Sequence, residues 1–321
     1  MRKIFLSILL IVFLFSCERL ETVVDVSIPA EDPMLVLNGL LDTDTNVRVL
    51  ISHSVGAFSS ESPSCVTDAV ALLYQNQQFV DTLSVDLSDT VYMYISSGDW
   101  FDWTFDSIPM VYYTSDFIPT AGFTYEIIVN HSEYDNVSAS TYIPQDVSIY
   151  NIDIDTTSNS SGFTGLTFSF LDDPVQQNYY RLNMFANCSK EWYDYEFGYK
   201  ENIYMMSNDP SFPTGFFPDM GYTFSGDRVV FTDDLFDGQE KTVLIDLFFY
   251  ESDINDCDTI IMKFANFSTE TYAYYNSLGD HMEKGELNFF GGEVVPVFSN
   301  VQNGLGVLIS VNSQDQLLKP L

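Results

Sequence analysis

The feature that most constrains the fold is a succession of short apolar runs along nearly the whole chain, each bounded by turn-forming residues. The runs are rich in valine, isoleucine and aromatic residues, which suit the pleated, half-buried surface of a β-sheet. Aromatic residues make up 16% of the chain, including 20 tyrosines and 27 phenylalanines. The sequence therefore predicts a mainly β fold.

The N-terminal region predicts a β-sandwich. Its first two runs, 34–37 and 47–51, flank a polar turn at 42–46, where aspartate and asparagine side chains can bond their own backbone. Short strands separated by turns at such intervals are typical of immunoglobulin-like or transthyretin-like sandwiches. We place this sandwich at 33–145, with Pro144 ending its last strand. Further strands are expected at 69–74, 79–85, 91–95, 122–129 and 137–143. The first two runs are expected to form one hairpin, and the runs 122–129 and 137–143 are expected to form the closing hairpin.

Residues 146–321 predict a second β-rich domain with a single helix. The interval of about 189–226 is rich in proline, glycine and aromatic residues and has little periodicity, which predicts a long aromatic loop. The helix is expected at about 269–283, capped by Ser268 and ended by Gly285, with Tyr272, Tyr275, Leu278 and Met282 on one face. Strands are expected at 147–155, 166–171, 179–186, 228–231, 243–250, 259–267 and 304–310.

The N-terminal segment predicts export and lipidation. Arg2 and Lys3 precede an apolar run at 4–15, and Ser16 stands directly before Cys17. This arrangement is typical of a bacterial lipoprotein signal peptide at 1–16, followed by a lipidated acidic tether at 17–32 that begins with an acylated Cys17. An ordinary cleaved signal peptide and a retained membrane anchor are the alternatives, although the run is short for a membrane span. We expect a lipid-anchored protein of the outer membrane, on its periplasmic or its cell-surface face.

The charge balance restricts the partners. The chain has 46 acidic and 12 basic residues, which gives a formal net charge of −34. Such a protein repels phosphate backbones, so nucleic acid is excluded as a partner, and attachment to the bilayer must come from the lipid on Cys17. The acidity is explained by a solvated, aggregation-resistant surface, with binding of divalent cations as the alternative.

Cysteine spacing permits at most one disulfide bond. With Cys17 acylated, Cys65, Cys188 and Cys257 remain, and a bridge between Cys188 and Cys257 is possible because both lie beside predicted strands. No pair of cysteines has the spacing of a zinc site. We therefore predict no bound metal and no cofactor.

Sequence motifs of catalysis are missing. The chain has three histidines and none of the common hydrolase, phosphate-binding or dinucleotide-binding motifs. The run at 42–46 begins like a calcium loop but has Val47 and His53 where glycine and glutamate are needed. The acidic loop at 233–238 remains an alternative calcium site. A glycosidase that uses a carboxylate pair needs no fixed spacing and remains the enzymatic alternative.

Two aromatic clusters are the candidates for ligand or partner binding. The first contains Trp100, Trp103, Tyr112 and Tyr113, and the second contains Trp192 and Tyr195. Rings beside carboxylates can stack on sugar faces, and they also make good anchors in protein interfaces. Core packing of folded loops, a partner interface and a glycan platform are therefore all open interpretations.

Several short motifs occur in a characteristic order along the chain. They are Cys17-Glu18, Pro33 to Gly39, Asp68 to Val70, Pro119 to Gly122 with Tyr125, Ile143-Pro144, Asp173-Pro174 with Asn178 to Arg181, Phe236 to Gly238, the helix with Tyr272, and Phe298 to Val301 with Asn303 to Gly306. In these motifs and their order the chain resembles a known family, the Bacteroidota outer-membrane lipoproteins of domain-of-unknown-function family 4249. The resemblance extends over essentially the whole chain after Cys17. One departure is Asn288-Phe-Phe-Gly291, where the family tends to have an Asn-Pro-Phe turn.

What the resemblance implies is a role beside a transporter. Such proteins look like two-part β lipoproteins that accompany SusC-like TonB-dependent receptors, and they have no established catalytic residues to carry over. We expect a non-enzymatic binding or accessory subunit of an uptake system, with a glycan or peptide as possible ligand. A glycan-active enzyme and a purely structural envelope lipoprotein are the alternatives.

Overall fold

A computed structural model describes residues 32–56, 62–97, 104–155, 164–192, 195–214, 221–249, 257–285 and 295–320 of the chain. From Pro33 onward the chain forms one compact unit. Within the described residues, no helix has the length and apolar character needed to cross a membrane.

Strands account for most of this unit, as predicted. The seven N-terminal strands are β1 (Leu35–Asp42), β2 (Arg48–His53), β3 (Val70–Gln75), β4 (Gln78–Ser97), β5 (Thr104–Thr114), β6 (Thr124–Asn130) and β7 (Val137–Tyr142). The remaining elements are β8 (Ile149–Asp155), β9 (Thr164–Leu171), β10 (Tyr179–Trp192), β11 (Tyr195–Asn202), β12 (Tyr204–Ser207), β13 (Phe224–Gly226), β14 (Arg228–Thr232), β15 (Glu240–Phe248), β16 (Cys257–Phe267), the helix α1 (Thr269–Gly285) and β17 (Leu305–Pro320).

The strands form two sheets. The larger sheet has 12 strands in the order β11-β10-β16-β17-β1-β2-β5-β4-β3-β6-β7, with β14 also paired to β10. The smaller sheet has five strands in the order β13-β12-β15-β9-β8. This β-rich, sandwich-like architecture confirms the predicted fold class.

The N-terminal core lies between two parts of the larger sheet. Along β1 and β2 the side chains alternate, so that Leu35, Leu37, Val49 and Ile51 are buried on one face. They form one hydrophobic cluster with residues of β3, β6 and β7, among them Tyr125. The sheet therefore folds over itself, and the hairpins expected for β1–β2 and β6–β7 are both present.

The C-terminal core lies between the smaller sheet and β10, β14 and β16 of the larger one. Aromatic rings dominate it: Phe170 of β9 packs edge-on against Tyr180 of β10 at 4.9 Å between ring centroids. Phe264 of β16 contacts both rings. Such ring pairs stabilise a core beyond the area that they bury.

The last strand connects the two cores. Its first half runs parallel to β1, from Val36 opposite Leu305 to Asp42 opposite Val311. Its second half pairs antiparallel with β16 as far as Pro320, so β17 is twice as long as the strand expected at 304–310. The N-terminal cluster also takes Val301 and Leu308 from this end of the chain. Residues 33–145 therefore do not complete their core alone.

The interval 189–226 corrects the expectation of a long aromatic loop. It contains the end of β10, β11, β12 and β13. One of them, β12, lacks an alternating burial pattern, because Met205, Met206 and Ser207 are buried in succession. A run that is buried on both faces lacks the period of two that marks a half-exposed strand.

The predicted helix is present and is capped as expected. The Oγ atom of Ser268 accepts a hydrogen bond from the backbone N–H of Thr271 at 3.1 Å. Tyr272 stacks on Tyr179 of β10 at 4.3 Å between ring centroids, which fixes α1 against the larger sheet. Met282, expected on the packing face, is instead 66% exposed, because the last turns of α1 extend past that contact.

Candidate functional site

Several residues singled out from the sequence lie outside the described part of the chain. These are Cys17, Trp100 and Trp103. Trp192 and Tyr195 are paired in register across the β10–β11 hairpin, and their side chains lie outside the described part. The lipidation and aromatic-platform predictions for these residues therefore stay predictions.

The two tyrosines of the first aromatic cluster have different environments. Tyr113 is 1% exposed, its hydroxyl donates to the carbonyl of Val66 at 3.0 Å, and it accepts from the N–H of Ala69 at 3.1 Å. The prediction that Tyr113 binds a ligand is therefore wrong, because its position on β5 points the ring into the core. Tyr112, on the opposite face, is half-buried under the guanidinium of Arg48, 3.8 Å from the ring centroid.

Cys188 of β10 and Cys257 of β16 form a disulfide bond, the pairing that the sequence permitted. The two residues are opposite each other in the ladder, next to a bulge. Cys65 is free, and its Sγ accepts a hydrogen bond from the N–H of Val111 at 3.2 Å. The disulfide fixes the register of β10 against β16.

The acidic loop at 233–238 meets a second acidic loop between β9 and β10. Asp172, Asp233 and Asp237 bring one carboxylate oxygen each to within 4.8 Å of one another. Asp172 accepts from the hydroxyl of Tyr180 at 2.5 Å and from the N–H of Gly238 at 2.8 Å. Its pKa is raised by burial, against the lowering effect of these two hydrogen bonds.

Asp233 has a similar structural role. Its Oδ2 accepts from the backbone N–H of Asn178 at 2.7 Å, and burial raises the pKa of its carboxyl group. The side-chain amide of Asn178 donates in turn to the carbonyls of Asp173 and Gln176, both at 2.9 Å. These hydrogen bonds join the two loops and account for the burial of Asp172 and Asp233.

Two adjoining cavities lie where the chain passes from β7 to β8, between the two cores. The first has a volume of about 150 Å³ and the second about 310 Å³. They share the residues Asp146, Val147 and Asn266, and we call them together the junction cleft. The amide of Asn312 on β17 holds this passage by donating to the carbonyl of Pro144 and to Asp146, both at 2.9 Å.

Asn266 is the unusual residue of the junction cleft. It is 5% exposed, and its Oδ1 has no hydrogen-bond partner among the described residues. An amide oxygen that is buried without a donor destabilises a fold by about 1–3 kcal/mol. Its neighbours in the ladder, Tyr180 and Asn312, are both satisfied by hydrogen bonds. The unsatisfied oxygen therefore marks this wall as a place where a donor from outside can bind.

The chemistry of the cleft is that of an acceptor site. Its described lining includes Asp44, Asp146, Asp172 and Asp173, several amides, and no lysine or arginine. Asp44 and Asp146 are exposed, so the cleft is open to solvent at that side. Carboxylates and amide oxygens favour a ligand that donates hydrogen bonds or carries positive charge, and they repel phosphates.

Sequence reasoning missed Asn266, Asp146 and Asn312. One signal was available, because Asn266 is a polar residue near the end of the otherwise apolar run at 259–267. A polar residue in a buried strand needs a partner, and the sequence alone does not show whether it has one.

Comparison with known proteins identifies a family. The model of a family described as "Domain of unknown function (DUF4249)" matches residues 21–316. No curated protein matches the chain.

Proposed function

The chain belongs to the DUF4249 family, and from this premise we propose that it is a non-enzymatic, lipid-anchored lipoprotein of the outer membrane. It binds a small ligand in the junction cleft and acts as an accessory subunit of a SusC-like TonB-dependent uptake system. The observation that carries the binding role is the buried, unpartnered Oδ1 of Asn266 in the wall of an acidic cleft.

The ligand class follows from the lining of the cleft. Three lining aspartates, Asp44, Asp146 and Asp173, are at least partly exposed and attract ammonium groups, and the amides accept hydrogen bonds from hydroxyl groups. The two cavities, about 150 and 310 Å³, are of a size for one or two sugar-sized units. We infer an amino sugar, a short glycan or a small peptide with a free amine as the ligand class.

The membrane role rests on the N-terminal sequence. Cys17 lies 18 residues before the first strand, so a fully extended tether reaches at most about 60 Å from the bilayer. A reach of this kind suits a subunit that works beside a membrane transporter. The link to a SusC-like receptor comes from the family resemblance alone.

The binding role is tested by replacing Asn266 with leucine, which has a similar size and no polar atoms. Asn266→Leu should leave the melting temperature unchanged or raise it, because it removes an unsatisfied polar group. It should also abolish the thermal shift that wild type shows with its ligand in a panel of amino sugars, neutral oligosaccharides and short peptides. A residue that weakens the fold while it supports binding is typical of functional sites.

The matched control is Asn312→Leu on the neighbouring strand. Asn312 is also buried but its amide makes hydrogen bonds to Pro144 and Asp146, so this variant should lose stability. The binding role is contradicted if no member of the panel shifts the wild-type protein at millimolar concentration. It is equally contradicted if Asn266→Leu retains the full shift.

The accessory role is tested by a pull-down of the tagged protein from its native outer membrane in mild detergent. A TonB-dependent receptor in stoichiometric amount is the expected result. The control is Cys17→Ala, which should abolish labelling by a palmitate analogue and reduce recovery of the receptor. Recovery of the protein without a TonB-dependent receptor would contradict the accessory role. It would favour a lipoprotein that binds its ligand alone or has a structural role.

A glycan-active enzyme is the second candidate, and the close approach of Asp172 and Asp233 is the observation that favours it. Retaining glycosidases use carboxyl groups at about 5 Å. Both aspartates, however, are 2% exposed and are held by structural hydrogen bonds, which disfavours contact with a substrate. Cleavage of a labelled polysaccharide by the wild-type protein, lost in Asp172→Asn, would support the enzyme instead.

A further inference from the structure

One face of the larger sheet carries most of the basic side chains that the structure describes. The structure describes seven basic side chains, namely Arg48, Arg181, Lys200, Arg228, Lys241, Lys263 and Lys284. Four of these seven lie on the same face of the strands β11, β10, β14 and β16, and we call this surface the basic face: Arg181, Lys200, Arg228 and Lys263.

The register of the strands defines this face. Asn183 of β10 is opposite Arg228 on one side and Lys263 on the other, so the three side chains form a row across three strands. Arg181 lies two positions away along β10 and therefore points the same way. Lys200 of β11 is opposite Asn187, which also shares that orientation.

The cations of the basic face are only partly neutralised. Lys263 approaches Asp315 at 3.8 Å, and Arg228 approaches Asp227 at 3.6 Å. Both are long for ion pairs and lie in partly exposed positions, where such pairs contribute little.

The other two cations pack on aromatic rings. Lys200 Nζ lies 3.6 Å from the ring centroid of Phe185, and the guanidinium carbon of Arg181 lies 5.0 Å from that of Phe267. Neither has a carboxylate within ion-pair distance among the described residues. The Nε of Arg181 is buried and has no hydrogen-bond acceptor there.

We propose that the basic face binds an acidic polysaccharide, one that carries carboxylate or sulfate groups along its chain. Arg181 and the position opposite Lys200 are six residues apart on β10, a separation of about 20 Å. The cations therefore follow a line and do not converge on one point, which fits a linear polyanion better than a single phosphate.

The net charge of −34 does not prevent this binding. At physiological ionic strength the Debye length is about 8 Å, so the repulsion from acidic residues on distant surfaces is largely screened. The attraction between the basic face and an anion in direct contact with it is screened much less. At about 0.01 M salt the Debye length grows to about 30 Å, and the repulsion by the whole protein is felt. Binding should therefore be strongest near 0.1 M salt and should disappear near 1 M.

The test measures retention of the protein on immobilised heparin, a sulfated and carboxylated polysaccharide, with a chelator present so that divalent cations form no bridges. Arg228→Glu should weaken binding about tenfold, because it reverses a charge in the row of cations. The matched control is Arg48→Glu. Arg48 is also partly exposed beside one aspartate, but it lies on β2, three strands from β16, and its reversal should change binding less than about twofold.

Three results would overturn the proposal. One is the absence of retention at 0.1 M salt. Another is an equal loss of heparin binding in Arg228→Glu and Arg48→Glu, which would mean that retention depends on the total charge of the protein and not on the basic face. The third is binding to vesicles of anionic phospholipid with none to heparin or polygalacturonate, which would make the face a membrane contact. A control for folding is the melting temperature of Arg228→Glu, which should match that of wild type because the side chain is 66% exposed.

Discussion

The close approach of β17 to β1 predicts a large effect of a single methyl group at Gly306. Gly306 has a φ of 104°, in the region that favours glycine, and a Cβ atom there would lie 2.2 Å from the carbonyl oxygen of Leu37. It would also lie 2.9 Å from Oδ1 of Asn38, which accepts a hydrogen bond from the N–H of Val307. Gly306→Ala must therefore move β17 away from β1.

The expected loss of stability can be built from three contributions. The backbone conformation costs about 1–2 kcal/mol for alanine, the steric displacement about 1–3, and the weakened Asn38 hydrogen bond about 0.5–1.5. The sum is about 2.5–6.5 kcal/mol, or a fall of about 5–13 °C in melting temperature at about 2 °C per kcal/mol. Differential scanning calorimetry measures it directly.

The same substitution at Gly279 is the control. Gly279 lies in α1 with nothing within 4 Å of an added Cβ atom. Gly279→Ala should therefore stabilise the protein by about 0.5–1 kcal/mol through helix propensity. If Gly306→Ala melts within about 2 °C of wild type, the two strands do not approach as closely as described, and the reasoning is refuted.

Three further predictions concern the same scaffold. Replacing Cys188 and Cys257 by alanine opens a loop with a sequence separation of 69 and should cost about 4 kcal/mol in urea unfolding; a loss below about 1 kcal/mol would contradict it. Ser268→Ala removes the cap of α1 and should cost about 1 kcal/mol, with reduced helical signal in circular dichroism. Burial raises the folded pKa of Asp172 above 3.8, so its contribution to stability is present at low pH and is lost as pH rises through that pKa. Asp172→Asn should therefore reduce the fall in urea midpoint that wild type shows as the pH rises above about 4. Parallel curves for the two proteins would contradict the burial of this carboxyl group.

Local sequence patterns predicted much of the fold because they encode local physics. The hairpins β1–β2 and β6–β7 were expected from short apolar runs around polar turns, and both are observed. The helix was expected from Ser268 and Gly285, which mark its two ends. Each of these predictions depends on contacts between residues that are near in sequence.

Long-range pairing escaped prediction. The run 304–310 was expected as the last strand, but nothing in the sequence showed why residue 306 is glycine. Gly306 is required because Leu37, far away in sequence, lies against it. Likewise, Gly238 lies against Pro174, where a Cβ atom would be 2.7 Å from the proline Cβ. Both contacts join segments through which the chain resembles its family. The motifs were visible in the sequence, but their physical reason exists only in the folded protein.

The register of β10 against β16 controls both proposed binding surfaces. With Tyr180 opposite Asn266, the inner face of this pair carries the core and ends at the junction cleft, while the outer face carries Arg181 and Lys263. A slip of one residue would exchange the two faces and bury the cations. The disulfide between Cys188 and Cys257 holds one end of this ladder. Because the cleft and the basic face share these two strands, loss of the disulfide should weaken binding at both surfaces together, whereas Asn266→Leu and Arg228→Glu should each affect only one.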